Sequence, residues 1–158
     1  MNLTGTWQGQ YSFDPDDKLP KLPDRPISFL MTLKQGWFSS ISGSAQDDPN
    51  HGMPEPAKIS GRLKNNRLTL TKSHPTIRLV HDGKFESTAQ LAERYRVALD
   101  EYPPPHPKIH CLGTISDDGQ SISGEWLLNS GEIHIPGSRS LQLPALRGTW
   151  SMKRSGKK

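Results

Sequence analysis

Six times along this chain of 158 residues an apolar residue is followed, after one spacer, by glycine and, after a second spacer, by another apolar residue. The copies are Trp7-Gln8-Gly9-Gln10-Tyr11, Ile41-Ser42-Gly43-Ser44-Ala45, Ile59-Ser60-Gly61-Arg62-Leu63, Cys111-Leu112-Gly113-Thr114-Ile115, Ile122-Ser123-Gly124-Glu125-Trp126 and Leu146-Arg147-Gly148-Thr149-Trp150. A spacing of two puts both apolar residues and the glycine on one face of a strand, and the mostly polar spacers on the other. Glycine inside a strand weakens it, so six such positions need a reason. Sharp bending, or room on a crowded inner face, supplies one, and closing a sheet into a small barrel requires both.

Composition agrees. Only 32% of residues are hydrophobic, against 14 Gly and 14 Pro. A wide helical bundle is hard to build from these proportions, whereas strands with one solvated face need fewer apolar residues. The length fits one domain that buries roughly 70% of its extended-chain surface. Further strands fill the gaps. Ile27, Phe29, Met31 and Leu33 alternate with polar or outward residues, as do Leu68 and Leu70, Ile77 and Leu79, and Ile133 and Ile135. Turn residues at Lys34-Gln35-Gly36, Lys64-Asn65-Asn66-Arg67, Ser116-Asp117-Asp118-Gly119-Gln120 and Asn129-Ser130-Gly131 imply antiparallel neighbours. The expected fold is all-β: an antiparallel up-and-down closed barrel of eight to ten strands spanning residues 1–154, followed by a disordered basic tail at 155–158. Closure also removes the exposed edges of so long a sheet.

Three segments break the alternation. Asp14–Pro26 and Asp47–Pro56 are Pro-rich loops, and Ser87–Leu99 is the one helix, with Ser87 and Gln90 as a capping box and Leu91, Tyr95 and Leu99 recurring every four residues. That helix is either a lid, through Leu91, Tyr95 and Leu99, or an ordinary cover for one barrel end. The run Tyr102-Pro103-Pro104-Pro105-His106-Pro107 ends it in extended chain.

The opening Leu3-Thr4-Gly5-Thr6-Trp7 resembles the first strand of avidins, and Gly5-x-Trp7 is the short signature of lipocalins. Gly113 through Asp117-Asp118-Gly119, followed by Glu125-Trp126-Leu127-Leu128, is similar to a late avidin hairpin. The resemblance, over about a third of the chain, implies a calycin-type barrel that holds a small molecule inside. It gives Trp126 a ligand-facing position, and Lys153 or Arg154 the place of the basic residue that packs on the lipocalin opening Trp. It does not extend to biotin. Gly9 and Phe13 stand where avidins carry polar ligand contacts, and the lipocalin Thr-Asp-Tyr motif is missing.

Tyr11, Phe13, Trp126, Trp150 and Met152 share the predicted inner face, with Trp7 near one end, and form the candidate ligand site. They either line an open pocket for a small apolar ligand or fill the barrel, leaving an interaction protein that self-associates through its walls as a homo-oligomer. No catalytic motif occurs, so an enzyme is the weakest reading, with a site at the mouth near His81, Glu86 and Tyr95. No metal or cofactor is expected. His106 and His110 share a face, but Cys111 points the other way, Pro107 intervenes, and the remaining histidines are scattered in sequence. Cys111, between Ile109 and Ile115, reads as a small core residue, and a lone cysteine forms no intrachain disulfide.

The net charge of +4 is concentrated in Lys153, Arg154, Lys157 and Lys158, a tail rather than the stripe a nucleic acid would need. Apolar runs are too short to span a membrane, and the opening has no signal-peptide pattern. Neither nucleic acid nor membrane is therefore expected as a partner, and a cytoplasmic location is.

Overall fold

The computed structural model describes residues 1–16, 19, 21–96, 106–134 and 140–156. Eight antiparallel strands close into a barrel: β1 (Gly5–Phe13), β2 (Ile27–Gln35), β3 (Ser40–Asp47), β4 (Ala57–Lys64), β5 (Arg67–Ser73), β8 (Ile109–Ile115), β9 (Ser121–Leu128) and β12 (Leu146–Arg154). Each pairs with the next along the chain, and β12 returns to β1 with Trp7 opposite Arg154 and Tyr11 opposite Trp150. Two two-stranded ribbons are inserted, β6 (Leu79–His81) with β7 (Lys84–Glu86), and β10 (Gly131–Ile133) with β11 (Leu141–Leu143). The helix α1 (Thr88–Tyr95) follows β7.

All six glycine motifs lie in barrel strands with the glycine on the inner face. The reason is close approach. At Gly9, Gly43, Gly61, Gly124 and Gly148 a β-carbon would sit 1.8–2.3 Å from a carbonyl oxygen of the neighbouring strand. Only a residue without one lets the strands coil this tightly, as closing eight strands demands. Gly113 answers to crowding instead, since its missing β-carbon leaves room for the Trp150 ring.

In an up-and-down barrel successive connections alternate between the two ends. Here the tight turns, 36–39, 65–66 and 116–120, all fall at one end, together with Leu3, Trp7 and the end of β12. That end is plugged. Leu3 and Trp7 are fully buried, and Trp7 donates its indole N–H to the Leu3 carbonyl at 3.0 Å. The Arg154 guanidinium lies 4.6 Å from the Trp7 ring centre and donates to the Thr4 and Asn2 carbonyls at 2.9 and 2.7 Å. Ser155 donates its N–H to the Thr6 carbonyl at 2.9 Å. Arg154→Ala removes a cation–π contact and two charge-assisted hydrogen bonds. It is expected to cost about 1–2 kcal/mol in urea unfolding, with Arg154→Lys recovering part of this.

The long connections all leave the opposite end. They are the Pro-rich loops after β1 and β3, the insertion between β5 and β8, and the insertion between β9 and β12. The two insertions meet in a second apolar cluster of Ile77, Leu91, Ile133 and Leu143, separate from the barrel core. Ile77 and Leu79 are therefore not part of a barrel strand. Ile77 is buried in this cluster, and Leu79 opens the β6–β7 ribbon. Ile135, the rest of the expected strand beyond Ile133, is outside the described residues. The ribbon turn is tied to the first Pro-rich loop by the Gly83 N–H on the Lys21 carbonyl.

The capping box at Ser87 and Gln90 forms as the sequence predicts, but α1 stops at Tyr95, where Arg96 takes a left-handed conformation. No helix among the described residues is long and apolar enough to cross a membrane.

Candidate functional site

The barrel core is packed along most of its length. Under the β6–β7 ribbon, at the end of the long connections, lies a cavity of about 90 Å³. A single water needs ~10–15 Å³ of such space, so there is room for several waters or one small organic molecule. Four of the five expected site residues line it: Tyr11, Phe13, Trp126 and Trp150. Their rings are locked to one another and to the backbone. Phe13 and Trp126 meet edge-on at 5.0 Å, and Tyr11 and Trp126 at 6.3 Å. Trp126 donates its indole N–H to the Ser12 carbonyl, and Trp150 donates to the Glu125 carbonyl.

Met152 does not reach the cavity. It is buried lower in the barrel core, opposite Gly9, where it fills space that a glycine leaves. Of the expected lid residues only Leu91 is described with its side chain, and it falls elsewhere. Leu91 packs in the second apolar cluster rather than on the cavity, the Tyr95 side chain is not described, and Leu99 lies outside the described residues. The cover comes from the ribbon, through Leu79, Val80 and Phe85, with Phe85 6.3 Å from Phe13. Glu86, placed by the sequence at a mouth site, is buried and ion-paired with Arg94, tying ribbon to helix.

Sequence reasoning missed one wall of this cavity. Asp47, 2% exposed, closes the inner face of β3, and Lys72 sits on the inner face of β5. Lys72 Nζ donates to Asp47 Oδ1 at 2.9 Å, Tyr11 Oη donates to Asp47 Oδ2 at 2.7 Å, and the Met53 N–H donates to the same oxygen at 3.1 Å. Three strands and the second Pro-rich loop thus converge on one carboxylate. Burial pushes the Asp47 carboxyl up. The Lys72 charge, with the hydrogen bonds from Lys72, Tyr11 and Met53, outweighs it and holds the group below the ordinary aspartate value. Burial, then the Asp47 charge, holds the Tyr11 phenol well above its ordinary value. Burial raises the Cys111 thiol to about 11, so it lines the cavity as an inert thiol.

The signal was present in the sequence as a phase. Lys72 continues Leu68 and Leu70 at spacing two, and Asp47 continues Ile41, Gly43 and Ala45. A charged residue on the inward phase is the anomaly to look for.

His74, read as scattered, and His106, read beside His110, come together at the same wall with ring centres 5.5 Å apart. The His106 Nδ1–H donates to the Pro107 carbonyl at 2.7 Å. Burial lowers His106, with Lys72 adding to it and the Pro107 and Arg78 backbone opposing. His74 is 4% exposed, and among the described residues neither of its ring nitrogens has a partner in hydrogen-bonding geometry. Burial, then the charges of Lys72 and His106, brings it down to about 3 against the opposition of Asp47 and the Glu55 backbone.

An unfolded His74 takes up a proton near pH 6.5, and the folded one does so only near pH 3. Between these values the unfolded state binds more protons, so stability falls as pH falls. Urea unfolding is expected to lose roughly 1 kcal/mol per pH unit below about pH 6 from this group, and His74→Phe to flatten the slope.

His110 is exposed on the outer face and takes no part in the cavity, and the described residues hold no cluster of three or more metal-ligating side chains. The polar wall is closed on its far side by Arg78, ion-paired with Glu55. Every formal charge along it has a counter-charge. The arrangement can therefore hold a molecule and orient it. Comparison of the chain with known protein families, with curated proteins and with solved structures finds no match.

Proposed function

We propose that this chain is a calycin-type binding barrel that takes a small, largely apolar ligand into the cavity beneath the β6–β7 ribbon. The observation that carries this reading is the cavity itself, a partly open, aromatic-walled space in a barrel whose other end is plugged. A purely structural barrel would gain about 2 kcal/mol by filling it, because an unfilled apolar void forfeits about 24 cal/mol per Å³. The calycin kinship draws on Trp7 beneath Arg154, the pairing of first-strand Trp and last-strand base that the sequence resemblance implied. The division of labour along the barrel fits as well. Tight turns and a packed plug hold one end rigid, while all long connections gather where a ligand would enter.

The test is tryptophan fluorescence with a panel of small aromatic and aliphatic compounds, in a Trp37→Ser background that removes the exposed indole at the β2–β3 turn. Saturable changes from Trp126 and Trp150 are expected, and Cys111→Leu, which intrudes on the cavity, is expected to abolish them while far-UV circular dichroism is unchanged. No saturable response to any compound, or a response indifferent to Cys111→Leu, sinks the reading.

A further inference from the structure

We propose that the polar wall of the cavity is a subsite for a neutral carbonyl oxygen, so that the ligand is a ketone, ester or amide carried on an apolar body rather than a plain hydrocarbon or an acid. The inference rests on the binding reading above and names the chemical class it takes.

Two donors point to it. The Lys72 ammonium carries three hydrogens, and among the described residues its one hydrogen-bond acceptor is Asp47. His74 lines the same cavity with neither ring nitrogen paired in good hydrogen-bond geometry, the Glu55 backbone being near enough to act on the ring without meeting it squarely. A buried imidazole without partners is costly, and native interiors leave few such groups. His74 stays neutral at physiological pH, so it offers one N–H and one lone pair. A carbonyl oxygen has two acceptor sites, which the Lys72 ammonium and the His74 N–H together satisfy.

Charge balance selects the neutral form. Asp47 already neutralises Lys72 at 2.9 Å, and Glu55 neutralises Arg78. A carboxylate would enter as an uncompensated negative charge beside Asp47, in a space walled mostly by aromatic and aliphatic side chains, where burying an unpaired charge is costly. A hydrocarbon would fill the aromatic half and leave His74 unpaired.

Three probes of the same ring and nearly the same size separate these cases: ethylbenzene, acetophenone and benzoate, titrated into the ¹⁵N-labelled full chain. Acetophenone, although the less hydrophobic of the two neutral probes, is expected to bind at least about tenfold more tightly than ethylbenzene, the gain of one or two well-made hydrogen bonds. It is also expected to shift the His74 imidazole nitrogen resonances, while benzoate binds no better than ethylbenzene. In His74→Phe the advantage of acetophenone over ethylbenzene should vanish. The imidazole shifts in the unsubstituted protein give the same answer should that variant fail to fold. Equal affinity for ethylbenzene and acetophenone overturns the carbonyl subsite and leaves the apolar binding reading standing. Tightest binding by benzoate overturns it in favour of an anion site. Binding by none of the three removes the reading beneath and the subsite with it.

Discussion

Lys72→Met is expected to destabilise the fold by about 3–5 kcal/mol, the cost of leaving a buried carboxylate without its counter-charge. Asp47 keeps its hydrogen bonds from Tyr11 and Met53, but neither carries a positive charge. Urea unfolding at pH 7.5, where His74 is neutral in both states, isolates the effect. The double variant Asp47→Asn/Lys72→Met is expected to recover most of the loss, because it removes the charge and its partner together. A single variant within 1 kcal/mol of the parent would show that Asp47 is not the hub of the polar wall. Acid acts on the same pair with a defined sign. The folded Asp47 carboxyl lies below its unfolded value, so its contribution is present above about pH 4 and is lost as pH falls through the folded value.

Gly148→Ala is expected to cost about 3 kcal/mol or more. Its β-carbon would stand 1.8 Å from the Ser12 carbonyl oxygen and 2.5 Å from Trp126 Nε1. That carbonyl is the acceptor of the Trp126 indole, so one methyl group both pushes β1 from β12 and dislodges a wall of the cavity. Backbone on one side and a locked ring on the other leave little room for relaxation, which places the cost at or above the upper part of the overpacking range. Gly131→Ala is the control. Nothing lies within 4 Å of its β-carbon, and it should stay within about 0.5 kcal/mol of the parent. If the two variants unfold alike, the glycines do not set the coiling of this barrel.

Both expectations turn on features that differ in how plainly the sequence showed them. The glycine motif was fully legible. Gly43 between Ile41 and Ala45, or Gly124 between Ile122 and Trp126, states its own face and phase, and the structure adds the carbonyl that makes glycine obligatory. The aromatic wall was legible for the same reason, since Tyr11, Phe13, Trp126 and Trp150 follow the alternation. Met152 also follows it and yet misses the cavity. Phase tells which face a residue takes, but not how far along the barrel axis it lies. Leu91 likewise belongs to an apolar helix face, and only the meeting of two insertions decides that this face covers Ile77, Ile133 and Leu143 rather than the cavity.

The polar wall was the hardest to foresee. Asp47 and Lys72 each break an apolar phase, but they lie on strands separated by β4, and Tyr11 is two strands away on the other side. His74 and His106 are separated in the chain by a ribbon and a helix. The sequence by itself determined the closed up-and-down barrel and its inner face, because period-two alternation and turn chemistry are local. The tertiary structure decided which inward residues meet across the barrel, and so the ion pair, the unpaired imidazole and the cavity between them. Curvature and closure bring those groups within 3 Å of one another or hold them apart, and neither is encoded in any one strand.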